Sequence, residues 1–137
     1  MSDQNDAKNG WSTQDARDLY NIHRWGAGYF DVNAAGHVVA RPLLNAGCDV
    51  DLTDVIGEAR GRGLRMPLLI RFQDILRHRV ESLNQAFRNS IAEFGYRGRY
   101  RGVFPIKVNQ LREVVEEILD AGKPYDLGLE VGSKPEL

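Results

Sequence analysis

Hydrophobic residues recur along this chain with the three-to-four-residue spacing that is typical of helices. Three segments show this spacing, and each is followed by a glycine, the residue that commonly lies just past a helix end. A fourth, shorter segment begins with a hydroxyl side chain that can cap a helix. The predicted helices therefore run from Ser12 or Thr13 to about Asn21, and over 51–61, 76–94 and 111–119, with Gly122 past the end of the last.

The segments between these helices are rich in β-branched and aromatic residues and predict strands. Residues 29–33 and 37–41 flank a turn that contains Gly36, which is typical of a β-hairpin, and Pro42 stops the second strand. Three later runs predict strands that a larger sheet would bury on both faces: 67–72, 100–108 and 125–131.

Short apolar strands that alternate with amphipathic helices indicate an α/β fold built from parallel β/α units. Three such strands are too few to close a barrel, and residues 133–137 resemble a helix that has just begun. We therefore expect a piece of a longer protein. The predicted organisation is a disordered leader and short helix start (1–18), the helix end and hairpin (19–50), and the first β/α units of a barrel (51–137).

Composition excludes several classes of protein. A net charge of −1 over 137 residues provides no overall field that would attract nucleic acid or a membrane surface. No apolar run approaches the roughly 18–20 residues that span a bilayer, and the polar start does not resemble a signal peptide. A single cysteine, Cys48, fits a reducing compartment. We expect a cytoplasmic protein without nucleic-acid or membrane partners and without a structural metal cluster.

Lys107 is the strongest chemical candidate because it closes an apolar predicted strand, between Ile106 and Val108. Burial disfavours an ammonium group and frees the neutral amine, which can then form a Schiff base. The alternative is that Lys107 ends the strand and extends its charged group into water.

The residues that follow Lys107 resemble a known family. Phe104–Asn109, together with Val114, Val115, Ile118 and Gly122, is similar to the pyridoxal-phosphate attachment pattern of the ornithine, diaminopimelate and arginine decarboxylases. Leu127–Leu137 is similar to a second motif of that family, an acidic strand end followed by Gly-Ser and a glutamate. Within the family, residues from about Tyr20 onward most resemble the arginine decarboxylases.

This resemblance implies a fold, a cofactor and a set of site residues. The fold would be the start of a TIM-like, alanine-racemase-like β/α barrel, with Lys107 holding pyridoxal 5′-phosphate as a Schiff base. Glu130 and Glu136 would lie near the lysine once it is released. The resemblance also implies L-arginine as substrate, agmatine and CO₂ as products in polyamine biosynthesis, dependence on Mg²⁺, and a homo-oligomer. The phosphate-binding and substrate-binding segments would lie beyond Leu137.

The same residues also allow other interpretations. The same scaffold could decarboxylate ornithine, lysine or diaminopimelate, or bind the cofactor without catalysis. Glu130 and Glu136 could instead serve as capping carboxylates at a helix start, and Asn109 as a helix cap. The basic, aromatic segment Tyr96–Gly102 could contact RNA, although a solvated loop is its simpler interpretation.

Overall fold

The computed structural model describes residues 10–137, so nearly all of the predicted disordered leader lies outside the described residues. The chain divides into two compact units between Leu69 and Ile70. Each unit has its own small sheet and its own helices.

The first unit begins with two short helices, α1 (Thr13–Leu19) and α2 (Ile22–Trp25). Ser12 caps α1 as its sequence predicts: the Ser12 hydroxyl accepts from the Asp15 N–H at 3.1 Å, and the Asp15 carboxylate accepts from the Ser12 N–H at 2.8 Å. Sequence analysis did not predict α2 as a separate helix. Ile22 from α2 is buried and belongs to the core of this unit.

An antiparallel sheet of order β1-β2-β3 follows, made of Phe30–Val32, Val38–Ala40 and Val50–Asp51. The hairpin of the first two strands confirms the prediction, with Phe30 opposite Ala40 and Val32 opposite Val38. The third strand was not predicted, because two residues are too few to show an alternating pattern. Val39 and Ala40 are almost wholly buried, which places the core of the unit on the central strand.

Asp51 connects this sheet to the predicted helix α3 (Leu52–Gly61). One carboxylate oxygen accepts from the Thr53 N–H at 2.8 Å, and the other lies 2.8 Å from both His37 Nδ1 and Asn33 Nδ2. These hydrogen bonds, that of His37 first among them, lower the pKa of Asp51. A single side chain thus caps the helix and connects it to the hairpin.

The second unit is built around one parallel β/α/β arrangement. Its elements are the long helix α4 (Gln73–Glu93), strand β4 (Val103–Pro105), helix α5 (Arg112–Gly122) and strand β5 (Gly128–Glu130). The two strands pair in parallel, so the chain must cross over between them, and α5 makes that crossover. This parallel pairing confirms the central prediction for this part of the sequence.

Helices α4 and α5 pack against each other. The apolar face of α5 is buried through Val114, Ile118 and Ala121. Arg77 of α4 lies 2.7 Å from both the Glu117 and the Asp120 carboxylates of α5. The buried apolar face of α5 and the ion pairs of Arg77 beside it together orient this crossover helix against α4.

Three strand predictions need correction. Residues 67–72 form no strand, because a strand requires a hydrogen-bonded partner and none of the described residues pairs with this segment. The strand predicted for 100–108 comprises only Val103–Pro105, because a 3₁₀ turn follows at Ile106–Val108. The strand predicted for 125–131 is reduced to Gly128–Glu130 by a 3₁₀ turn at Lys123–Tyr125.

Two smaller predictions differ from the structure at helix ends. Gly122 is the last residue of α5 and does not lie beyond it. The helix start expected at 133–137 is a 3₁₀ turn over Lys134–Glu136. Within residues 10–137, none of the helices combines the length and the apolar character that a bilayer crossing requires.

Candidate active site

Lys107 lies in the 3₁₀ turn that directly follows β4. The side chain is exposed, which contradicts the prediction of a lysine buried at the end of an apolar strand. The reason is local, because the strand already ends at Pro105 and the turn directs the backbone away from the ladder. Among the described residues, none forms a hydrogen bond or an ion pair with the Lys107 amine.

The strand register places Glu130 beside this turn. Pro105, the last residue of β4, pairs with Glu130, the last residue of β5. Because the two strands are parallel, their carboxyl ends share one edge of the sheet. Lys107 follows two residues after Pro105, so the lysine and Glu130 lie at this same edge. Enzymes built from β/α units keep their reactive groups at such an edge.

Glu136 joins Glu130 through the backbone of Gly132. The Gly132 N–H donates to Glu136 Oε2 at 2.6 Å, which turns the chain after β5 back on itself. A Cβ atom placed on Gly132 would lie 3.6 Å from Glu136 Oε2 and 3.9 Å from Glu130 Oε1. The two carboxylates therefore converge on one glycine, at the edge where Lys107 lies.

Sequence analysis did not assign a role to Gly132. Gly132 provides the N–H that holds Glu136, and its Cα side faces both carboxylates at ordinary van der Waals distance. Its position, two residues after one glutamate and four before the other, is a signal that could have revealed this role.

Asn109 shapes the connection from Lys107 to α5. Its side-chain oxygen accepts from the Leu111 N–H at 3.2 Å, and its own N–H donates to the Ile106 carbonyl at 3.1 Å. This local bond two residues ahead forms a turn before the helix, which begins at Arg112. Asn109 therefore precedes the helix. The interpretation of Asn109 as the helix cap is wrong, because the residue at the cap position is Leu111.

Apolar side chains in the segments that flank Lys107 and follow β5 are open to solvent. Val103 and Val108 are 61% and 65% exposed, and Leu111 and Val131 are also exposed. An amine among apolar groups becomes more reactive when a covering segment excludes water. Within residues 10–137, these apolar side chains stay largely uncovered.

The other described lysines provide a comparison. Lys123 forms an ion pair, because its amine lies 2.8 Å from the Asp120 carboxylate. Lys134 is exposed and has no bonded partner within residues 10–137, but it does not follow a strand directly. Lys107 alone of these three combines a free amine with the carboxyl end of a parallel strand. In the part of the chain that the structure describes, no three His, Cys, Asp or Glu side chains form a group that could hold a metal ion.

Comparison with known proteins identifies relatives over almost the whole chain, although no protein-family model matches it. The biosynthetic arginine decarboxylase of Parasynechococcus marenigrum is 52% identical over 128 residues, which are 93% of this chain and 20% of that protein. The enzyme of the same name from Gloeobacter violaceus is 48% identical over 127 residues, with the same shares.

A solved structure supports the same relationship. The crystal structure of the biosynthetic arginine decarboxylase SpeA from Campylobacter jejuni matches with a TM-score of 0.77 and 35% identity. The match covers 85% of this chain and 19% of that one. The chain therefore spans about one fifth of the length of the proteins it matches, in keeping with the expectation of a piece of a longer protein. As its motifs indicate, this chain is homologous to part of the biosynthetic arginine decarboxylases.

Proposed function

We propose that this chain is part of a pyridoxal-phosphate-dependent enzyme that converts L-arginine to agmatine and CO₂. The observation that carries the proposal is the 52% identity, over 93% of the chain, to a protein named biosynthetic arginine decarboxylase. The position of Lys107 beside Glu130 at the carboxyl edge of β4 and β5 adds chemical support. Agmatine production would assign the enzyme to polyamine biosynthesis.

The residues of the candidate site fit pyridoxal phosphate. A primary amine without an ion-pair partner among the described residues is the group that attaches this cofactor, and Lys107 provides it. Lys107 would hold the cofactor covalently through Nζ. When bound, pyridoxal phosphate supplies an electron sink that stabilises the carbanion left by loss of CO₂.

Glu130 and Glu136 would act on the lysine once substrate has released it. A released amine is protonated at neutral pH, and two carboxylates at the same edge favour that ammonium form. Gly132 holds Glu136 in place, so the negative charge is positioned before the lysine is released. We propose that the pair retains the Lys107 ammonium near the edge of the sheet and keeps a proton available there.

Several further features belong to the same proposal. The β4-α5-β5 arrangement would be the beginning of a β/α barrel, to which the remaining chain adds strands. The complete enzyme would be a Mg²⁺-dependent cytoplasmic homo-oligomer, with its phosphate-binding and guanidinium-binding residues in other segments. The same scaffold acting on ornithine, lysine or diaminopimelate is the alternative.

The test is an assay of the full-length protein with pyridoxal phosphate and Mg²⁺. We expect CO₂ release from carboxyl-labelled arginine and formation of agmatine, with little release from the other three amino acids. Activity on one of those substrates and not on arginine would contradict the proposed specificity.

A second measurement tests the role of Lys107 itself. Borohydride reduction of the full-length protein with its cofactor should leave a pyridoxyl group on the peptide that contains Lys107. The exposed, unpaired Lys134 is an internal control. An adduct on Lys134 or Lys123 would show that the attachment residue is wrongly assigned.

A further inference from the structure

A cavity in the second unit lies at the opposite edge of the sheet from Lys107. Its volume is about 290 Å³, close to the lower limit of roughly 300 Å³ for small-molecule pockets. Gly98, Arg99 and Tyr100 line it just before β4, and Pro124–Asp126 line it just before β5. The cavity is therefore at the amino ends of the two strands, away from the proposed active site.

Two guanidinium groups at this cavity have no carboxylate partner among residues 10–137. Arg88 donates to the Pro124 carbonyl at 2.8 Å and lies 4.4 Å above the Tyr125 ring. These contacts fix the side chain without neutralising its charge, and most of its five N–H donors remain unused. Arg99 forms no ion pair with any of the residues 10–137. The acidic residue of the lining, Asp126, is compensated by Arg101 at 3.4 Å.

A buried amide completes the polar lining. Asn84 is only 3% exposed, and its Nδ2 donates to the Val80 carbonyl at 2.8 Å. Within the described part of the chain, no donor reaches the Asn84 side-chain oxygen, and no fully buried side-chain oxygen or nitrogen lacks a partner. This oxygen is therefore not fully buried, and Asn84 is one of the residues that line the cavity. An amide kept among apolar groups with an unused acceptor and an unused N–H suits a bound polar ligand.

The remaining walls are apolar. Ile91 and Ala92 of α4 line one side. Tyr100 is fixed by stacking on Phe87, with the ring centroids 3.7 Å apart and an angle of 6° between the planes. Flat apolar walls accept a ring, whereas uncompensated guanidinium groups accept a phosphate, which they bind through paired N–H donors.

We propose that this cavity is a binding site for a small phosphate ester with a planar ring, separate from the proposed active site. The phosphate would bind Arg88 and Arg99, the ring would lie against Ile91 and Tyr100, and the Asn84 amide would bond to a polar atom of the ring. Such a site would let a phosphorylated metabolite bind the enzyme without entering its active site.

The test is calorimetric titration of the full-length protein with phenyl phosphate as the probe. Arg99→Gln should weaken binding about tenfold, because it removes a charge-assisted contact. Arg97→Gln is the matched control, because Arg97 belongs to the same basic segment, Tyr96–Gly102, but does not line the cavity. We expect this variant to bind phenyl phosphate within about twofold of wild type.

Two further variants act in opposite directions. Asn84→Asp places a carboxylate in the cavity with almost no change in shape and should weaken phenyl phosphate binding. Asp126→Asn removes the one acidic group and should strengthen it, and asparagine tolerates the left-handed backbone at this position, where φ is 55°. Benzoate should bind more weakly than phenyl phosphate, because its carboxylate has one negative charge and two oxygens, whereas the phosphate has about two negative charges and three terminal oxygens for the two guanidinium groups.

Three outcomes would overturn the proposal. The first is Arg99→Gln binding phenyl phosphate as tightly as wild type. The second is benzoate binding as tightly as phenyl phosphate. The third is an equal loss in Arg97→Gln and Arg99→Gln, which would indicate diffuse attraction by the basic loop and would favour a single-stranded RNA as its partner.

Discussion

Glu130 and Glu136 are held in place by different interactions, so substitutions at the two residues can separate a structural role from a catalytic one. Glu136 accepts a hydrogen bond from the Gly132 N–H, whereas Glu130 lies at the end of a paired strand. A carboxylate that only maintains a turn contributes to stability, whereas one that acts on Lys107 contributes to turnover. Substitution by glutamine separates the two roles, because the amide oxygen still accepts a hydrogen bond while the charge is lost.

We therefore predict that Glu136→Gln and Glu130→Gln lower the turnover of the full-length enzyme without lowering its melting temperature. Each lost charge is expected to cost about 1 to 3 kcal/mol in the transition state. Glu136→Ala should lower both quantities, since it also removes the acceptor for Gly132. Steady-state kinetics and thermal unfolding on the same samples provide the measurement. Normal turnover in both glutamine variants would leave the carboxylates with a structural role only.

Asp120 is the residue whose charge is most strongly stabilised. Hydrogen bonds from Lys123 first, and from Arg77 second, lower its pKa from 3.8 to about 2. A carboxyl group whose pKa is lower in the folded state stabilises that state above its unfolded pKa, and the contribution disappears as the pH falls towards the folded pKa. The contribution of Asp120 to the stability of the folded state therefore appears between about pH 2 and pH 4 and is complete from there to neutral pH.

We predict that Asp120→Asn lowers the melting temperature of the full-length protein at pH 7 and that the difference shrinks steadily between pH 4 and pH 2. Glu116→Gln is the control, because Glu116 pairs with Arg112 within one exposed helix face and connects no second helix. Thermal unfolding at a series of pH values measures both. A difference that stays constant down to pH 2 would exclude the ion pairs of Asp120 with Lys123 and Arg77 as its source.

At the scale of elements, the junction between α5 and β5 is tightly packed. A Cβ atom on Gly122 would lie 2.5 Å from Leu127 Cβ, far inside van der Waals contact. Leu127 in turn donates its N–H to the Gly122 carbonyl at 3.2 Å, so neither residue can withdraw without loss of the turn. The helix therefore ends in glycine because the following strand approaches it closely.

Gly122→Ala should destabilise the protein by about 1–3 kcal/mol through overpacking. Gly57→Ala is the matched control, because Gly57 lies inside α3 with nothing within 4 Å of the added methyl group. Alanine there should stabilise the helix by roughly 0.5–1 kcal/mol. Chemical denaturation measures the free energy of unfolding of the two variants. A change of the same sign and similar size in both would contradict the close approach at Leu127.

The extent to which elements could be predicted depends on their length. Helix α4 is 21 residues long with apolar residues recurring along it, and α5 buries its apolar stripe against α4, so both helices are evident from spacing. The strands contain three residues or fewer, and no periodicity can define their ends. The segment 67–72 illustrates the limit, since an apolar run becomes a strand only when a partner strand pairs with it.

At the scale of the whole molecule, the second unit leaves much apolar surface open. Leu83, Phe94, Val103 and Val108 are each more than half exposed, and β4 pairs with β5 alone among the described residues. Two parallel strands with one unpaired edge on each side are rarely stable without a larger sheet and its helices.

We predict that the 137-residue chain produced alone releases no CO₂ from arginine and is poorly soluble or loosely packed. Its exposed apolar surface should bind a hydrophobic dye, and its thermal unfolding should lack a cooperative transition. The full-length protein under the same conditions is the control. A well-folded monomer of this length with measurable decarboxylation would contradict both the predicted incompleteness and the assignment of essential residues to other segments.

The sequence by itself determined the long helices, the hairpin, the parallel β/α order and the family resemblance, because these follow from local spacing and motifs. The tertiary structure decided where the strands end, that Lys107 is exposed in a turn, and that Glu130 lies opposite Pro105. It also decided that Gly132 brings the two glutamates together. The strand ends and the register of Glu130 depend on pairing between segments that are far apart in the chain, and local patterns carry no record of which segments meet. The turns at Lys107 and Gly132 are local, but their backbone geometry has no periodic pattern that the sequence could show.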